Sequence, residues 1–195
     1  MASPETLESD ARVNQTVSPL EHEITSPADL HELRERWASL PRIPKLLHAQ
    51  DAPIISNSIN QCVRLALSSE ESAGAVQVCY VVLKPGLGAP VHHQPEEDEL
   101  WFAVDGELVW TVGNETRSVR KGGFAYVPRN TTHAFENAGS EPAVMFALNI
   151  PGGHERGFMA AAAMRAAGLP TEEVRAALKN YDFFFHQLGD APAEP

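Results

Sequence analysis

Basic residues are scarce in this chain. Fifteen Lys and Arg stand against 26 Asp and Glu, a formal net charge of -11. A nucleic-acid partner is therefore not expected, because phosphate binding draws on clustered Lys and Arg, and no basic stripe occurs. Long apolar runs are missing too: none approaches the ~20 residues that cross a bilayer as a helix. The opening MASPETLESDARVNQ has neither the basic start nor the apolar stretch of an export signal. A cytoplasmic location without a membrane partner is the expectation. Cysteine is limited to Cys62 and Cys79. Each sits in a β-like run and neither belongs to a CxxC pair, which points to two buried reduced thiols rather than a disulfide or a thiolate metal site.

What is present suffices for one core-bearing domain with extensions, in 195 residues of which 43% are hydrophobic. Residues 1–25 read as a flexible polar arm, 26–58 as a helical and extended lead-in, 59–151 as the β domain and 152–195 as a helical tail. Ser26-Pro27 opens the first helix, with Ser26 as cap and Pro27 at the first helical position. Leu30, Leu33, Trp37 and Leu40 recur at helical spacing. His22, His31 and His48 lack partners at ligand spacing and are expected to be surface or packing residues.

From about Asn60 the pattern turns to short β-like runs. They are 62–67, 75–83, 100–104, 107–112, 116–119, 124–127, 132–136 and 144–150, with Asp105-Gly106 as a hairpin signal. Many short strands at regular spacing indicate an all-β antiparallel barrel or sandwich. Pro151-Gly152-Gly153 ends this region. An alanine-rich helix from His154 is expected to stop at Gly168, and a second helix to start with Thr171 as N-cap. Phe183, Phe184 and Phe185 are expected to pack on the β structure.

Two spaced patterns carry the chemistry. One is Gly86-x5-His92-x-Gln94-x4-Glu99-x6-Gly106; the other is Gly122-x5-Pro128-x-Asn130-x2-His133-x3-Asn137. Strand alternation puts His92 and Gln94 on one face, Glu99 and Trp101 on one face of the next strand, and His133 with Phe135 on a third. Alternation also turns His93 away. The run Glu96-Glu97-Asp98 reads as a solvated loop. Two imidazoles and a carboxylate with open positions form a set that suits Fe(II) and also accepts Mn, Co, Ni, Cu or Zn.

These patterns resemble the two motifs of the cupin superfamily. The resemblance implies a single jelly-roll β-barrel with an N-terminal helical extension and C-terminal helices. It also implies one divalent metal ion per chain, with His92, Glu99 and His133 in the ligand positions. Gln94 stands where many cupins carry a second histidine. As a harder, neutral donor it shifts preference toward Fe(II) or Mn. The layout, including Pro151 to Phe158 after the β region, is similar to that of bacterial quercetin-2,3-dioxygenase-like cupins. That similarity implies a dioxygenase acting with O2 on a small enolic or aromatic, flavonol-like substrate, Glu99 serving as ligand or base. Trp101, Phe135, Phe146 and Tyr80 are the candidate pocket residues. The same ligands serve a non-oxidative isomerase, cyclase or lyase, and a third reading is a small-molecule-binding module without turnover. A homodimer is expected through the segment from Ile43 to Ile59 pairing at a sheet edge.

Overall fold

The computed structural model describes residues 24–58 and 61–186. The expected arm up to Glu23, including His22, and the tail after His186 lie outside the described residues. Helix α1 spans Pro27–Ala38. Its capping box is built by Ser26, which accepts from Asp29 N at 3.4 Å, and Asp29, whose carboxylate accepts from Ser26 N at 2.8 Å. Leu30 and Trp37 are buried, whereas Leu40 lies beyond the helix end and is exposed. His31 sits on the outer face near Glu35, and His48 is also exposed.

Eleven strands follow: β1 (Ile54–Asn57), β2 (Gln61–Leu67), β3 (Gln77–Leu83), β4 (Gly88–His93), β5 (Asp98–Asp105), β6 (Glu107–Val112), β7 (Glu115–Arg120), β8 (Phe124–Val127), β9 (His133–Asn137), β10 (Ala143–Ile150) and β11 (Phe184–Phe185). They make two antiparallel sheets, ordered β1-β2-β3-β10-β5-β8 and β11-β4-β9-β6-β7. The expected closed barrel is corrected here. No ladder joins the two sheets among the described residues; their inner faces meet through side chains instead. Val63, Leu65, Val81 and Met145 from one sheet pack with Leu108 and Trp110 from the other. The alternation of β3, buried at every second residue from Gln77 to Leu83, is the sequence cause of this layering. At the β5–β6 hairpin Gly106 has φ +81°, and a Cβ there would lie 2.6 Å from Ala143 Cα, so the turn admits only glycine.

The tail folds back over the sheets. Helix α2 spans His154–Ala166 and α3 spans Thr171–Leu178. Pro170, not Thr171, precedes the first turn of α3, and Thr171 lies inside it. Asp182 takes a left-handed conformation (φ +69°) that reverses the chain. The strand β11 then adds to the edge of β4, Phe184 opposite His93 and Phe185 opposite His92. A second apolar cluster, including Leu30, Ala160, Val174 and Phe183, ties α1, α2, α3 and this strap together. Cys62 and Cys79 are free and buried.

Candidate metal centre

His92 on β4, Glu99 on β5 and His133 on β9 converge between the sheets. One ligand atom from each lies within 4.8 Å of the others, and all three residues are buried. His92 and His133 are register partners, with ring centroids 4.3 Å apart. Each imidazole is oriented by the same local device. His92 Nδ1 lies 2.7 Å from Pro90 O, and His133 Nδ1 lies 2.8 Å from Thr131 O. A carbonyl only accepts, so Nδ1 carries the proton and donates. Nε2 is left with a free lone pair, the tautomer a metal ligand needs. Burial drives both rings toward the neutral form; it and the neighbouring imidazole lower His92 to about 3, and burial lowers His133 to about 4.

Glu99 is held from two sides. The Trp101 indole N–H donates to Oε2 at 2.6 Å, and Asn149 Nδ2 donates to Oε1 at 2.9 Å. Oε2 stands 3.8 Å from His133 Nε2. That Nε2 is buried without a hydrogen-bond partner, and so are both amide atoms of Gln94. Buried polar atoms are rarely left so. Two neutral imidazoles, one carboxylate and unsatisfied buried donors fit a single divalent cation, which His92, Glu99 and His133 could hold.

Alternation places the remaining histidine and glutamine. Gln94 is buried like His92, while His93 between them turns outward, its Nδ1 2.7 Å from His186 Nε2 and its ring against Phe184. The carboxylate in the cluster is Glu99. Asp98 instead pairs with Arg129 at 3.1 Å.

Glu97 corrects the expectation of a solvated acidic loop. It is 1% exposed. It accepts from His154 Nδ1 at 2.9 Å, from Asn149 Nδ2 at 3.2 Å and from the Arg34 guanidinium. Arg34 is on α1 and His154 opens α2, so the helices on either side of the β region supply the donors that make its burial tolerable. Burial alone would lower His154, but Glu97 and Glu99 outweigh it and hold the imidazole above its ordinary value. His154 Nε2 stands 3.9 Å from Glu99 Oε1.

Over the cluster lies a cavity of about 110 Å³. Its walls include His92, Glu99, Phe135, Asn149, His154 and Phe183. Phe183 and Phe185 stack near His92, at 6.5 and 5.8 Å between ring centroids. Of the four expected pocket residues, Phe135 lines this cavity. Trp101 is fully buried behind Glu99, edge-on to His133 and Phe135. Tyr80 and Phe146 are not brought to it. They are paired edge-on with each other at 5.4 Å, while their strand neighbours Val81 and Ala147 face the cavity. Parity decides this: an even-numbered residue on β3 or β10 points away from the core.

Sequence reasoning missed His154, Asn149, Glu97 and Arg34. One signal was available in the stretch Pro151 to Phe158, where side chains are committed one by one. Glu155 accepts from Ser69 N and Oγ, both at 2.8 Å, and Arg156 pairs with Glu70 at 2.7 Å. Gly157 gives room to the Phe183 ring.

Several known proteins resemble this chain. It is 30% identical over 70 residues to an uncharacterized protein of Methanocaldococcus jannaschii, covering 36% of this chain and 56% of the relative. It is 34% identical over 55 residues to an uncharacterized protein of Streptomyces coelicolor, covering 28% and 52%. The chain thus spans about half the length of the curated relatives it matches. Among solved structures, one from Thermotoga maritima described as a predicted oxalate decarboxylase superposes with a TM-score of 0.50 at 19% identity, covering 55% of this chain and 99% of that one. At that identity the likeness speaks for the fold alone. Residues 79–150, which hold His92, Glu99 and His133, match the family described as Cupin_2, Cupin domain, and the chain carries the cupin fold.

Proposed function

We propose that this chain is a divalent-metal-dependent enzyme that chelates a small enolic or aromatic, flavonol-like molecule through its oxygens, with O2 as co-substrate in a dioxygenase reaction. The observation that carries the reading is the buried meeting of one ligand atom each from His92, His133 and Glu99 within 4.8 Å of one another. Fe(II) or Mn is the favoured ion, with Ni, Co, Cu or Zn also accommodated by this donor set, and Gln94 is assigned as a fourth, weaker donor. Such an ion supplies Lewis acidity that lowers the pKa of a bound enol.

The chain's own residues do the rest. His92 and His133 hold their lone pairs inward through Nδ1. Trp101 and Asn149 fix the Glu99 carboxylate, which serves as ligand or takes the enol proton. Phe135, Phe158 and Phe183 give the cavity apolar walls.

A second reading, an isomerase, cyclase or lyase that uses no O2, is favoured by His154. It lines the cavity beside Glu99 and is charged toward its imidazolium form by Glu97. A group so placed can return a proton to an enolate carbon. Oxygen uptake by the metal-loaded protein with quercetin and simpler enols separates the two. Uptake that disappears in His133→Ala supports the dioxygenase; turnover without uptake supports the second reading. Purified protein free of metal, with small-molecule binding indifferent to His133→Ala, would remove both and leave a binding module.

A further inference from the structure

One face of α2 leads away from the metal cluster along the cavity. His154, Gly157, Phe158, Ala161 and Arg165 all line it. Counted from His154 they stand three, four, seven and eleven residues on, the spacing of a single helical stripe. His154 marks the inner end, its Nε2 3.9 Å from Glu99 Oε1. Arg165 marks the far end, about 16 Å further along the helix axis. Between them Gly157 and Ala161 take up little space.

Strand register gives the cavity the same length. Glu99 lies opposite Asn149, and Asn149 opposite Gln77. Ser56 lies opposite Val63, and Val63 opposite Val81, so Ser56 is displaced from Glu99 by about 13 Å along the strands. Gln61, opposite Leu83, is displaced further still. Both residues line the cavity. The outer end thus gathers Arg165, Ser56 and Gln61. Ser56 is buried, and Gln61 Oε1 is buried without a hydrogen-bond partner. Among the described residues Arg165 is the one Lys or Arg on the lining, and it makes no ion pair or hydrogen bond there. In a chain of net charge -11 this guanidinium has been left without a carboxylate of its own.

We infer that the small molecule chelated at His92, Glu99 and His133 carries a carboxylate at its opposite end, and that Arg165 binds it. This rests on the chelating reading proposed above and adds the second anchor of the substrate. A guanidinium matches a carboxylate through two parallel hydrogen bonds. The Ser56 hydroxyl and the Gln61 amide offer further hydrogen-bonding groups at that end. Side chains of a helix lean toward its N-terminus, so Arg165 reaches back toward the cluster, and a ligand joining the two ends is on the order of 10 Å long. Phe135 and Phe158 give its middle an apolar wall. Arg165 also stands in the last turn of α2, where a cation complements the helix dipole. That structural role acts on stability and is blind to what the ligand carries, so discrimination between ligands separates the two.

Two probes that share one chelating head and differ only at the far end test this: 3-hydroxyflavone and 3-hydroxyflavone-4′-carboxylic acid. Both are titrated calorimetrically onto the Mn(II)-loaded full chain. The carboxylate should bind about tenfold tighter, the worth of a charge-assisted bond reduced by the water at the cavity mouth. Arg165→Gln should bring the two affinities together by weakening the carboxylate. Arg165→Lys should keep part of the preference, because it retains the charge and loses the fork. Arg165 is exposed, so both variants should fold, and urea denaturation reads the cost to the helix separately. Equal affinities in the wild-type chain, or a preference that survives Arg165→Gln, overturn the inference and leave the chelating reading standing. If neither compound binds the metal-loaded protein, chelation itself fails and the inference falls with it.

Discussion

The indole N–H of Trp101 donates to Glu99 Oε2 at 2.6 Å. The two residues are two positions apart on β5 and share its inner face, so the strand that carries the carboxylate also carries the group that aims it. The bond is charge-assisted and fully buried, which places it among the stronger hydrogen bonds a protein makes. Trp101→Phe keeps most of the ring volume and removes the donor. Metal affinity should fall by about 10- to 100-fold, the usual cost of losing a group that orients a ligand. Calorimetric titration with Mn(II) checks this, and unchanged affinity would mean that Asn149 alone orients Glu99.

Glu97 and Glu96 are adjacent and should behave oppositely. Glu97 is buried against Arg34 and His154; Glu96 is exposed. Glu97→Gln leaves the Arg34 guanidinium near an uncharged amide and should cost about 3 kcal/mol of unfolding free energy. Glu96→Gln should stay within about 0.5 kcal/mol of the parent. Urea denaturation of both variants gives the comparison.

The two histidines set the pH range of metal loading. Burial holds His92 at about 3 and His133 at about 4, both below the ordinary 6.5. A metal competes with protons only where the imidazole is protonated. Affinity should therefore be level from pH 8 down to about 5 and fall as pH drops through 4, instead of falling below 6.5 as ordinary histidines would require. Equilibrium dialysis across that range reads the result; a decline setting in at 6.5 would show that the free site is open to water.

Gly157 reports on the strap over the cavity. A Cβ at this helical position would lie 2.2 Å from Phe183 Cε2. Alanine favours a helix interior over glycine by about 1 kcal/mol, but here the ring must move, at a cost of about 1–3 kcal/mol. Gly157→Ala should thus destabilise the protein. It should also weaken retention of a small chelating ligand while leaving affinity for the ion itself intact, since Phe183 lies over His92 and is no part of the donor set. Parallel titrations with metal and with a flavonol on the loaded protein distinguish the two effects.

The sequence by itself determined most of the strands, though not β1 or β11, together with the two glycine-bounded motifs and the parity of their residues. Period-two alternation and turn chemistry act locally, so they can be read without coordinates. The spacing from His92 to Glu99 and the alternation that sends His93 outward belong to that class, as does the capping box of α1. Tertiary structure alone decided which carboxylate of the acidic run is buried. Glu97 needs Arg34, 63 positions before it, and His154, 57 positions after it, and a partner at that distance leaves no periodic trace. It likewise decided that the sheets stay open, and that Tyr80 and Phe146 pair with each other away from the cavity while Phe183, from the end of the described chain, closes over His92. Strand pairing and helix docking, rather than any local preference, bring these residues together.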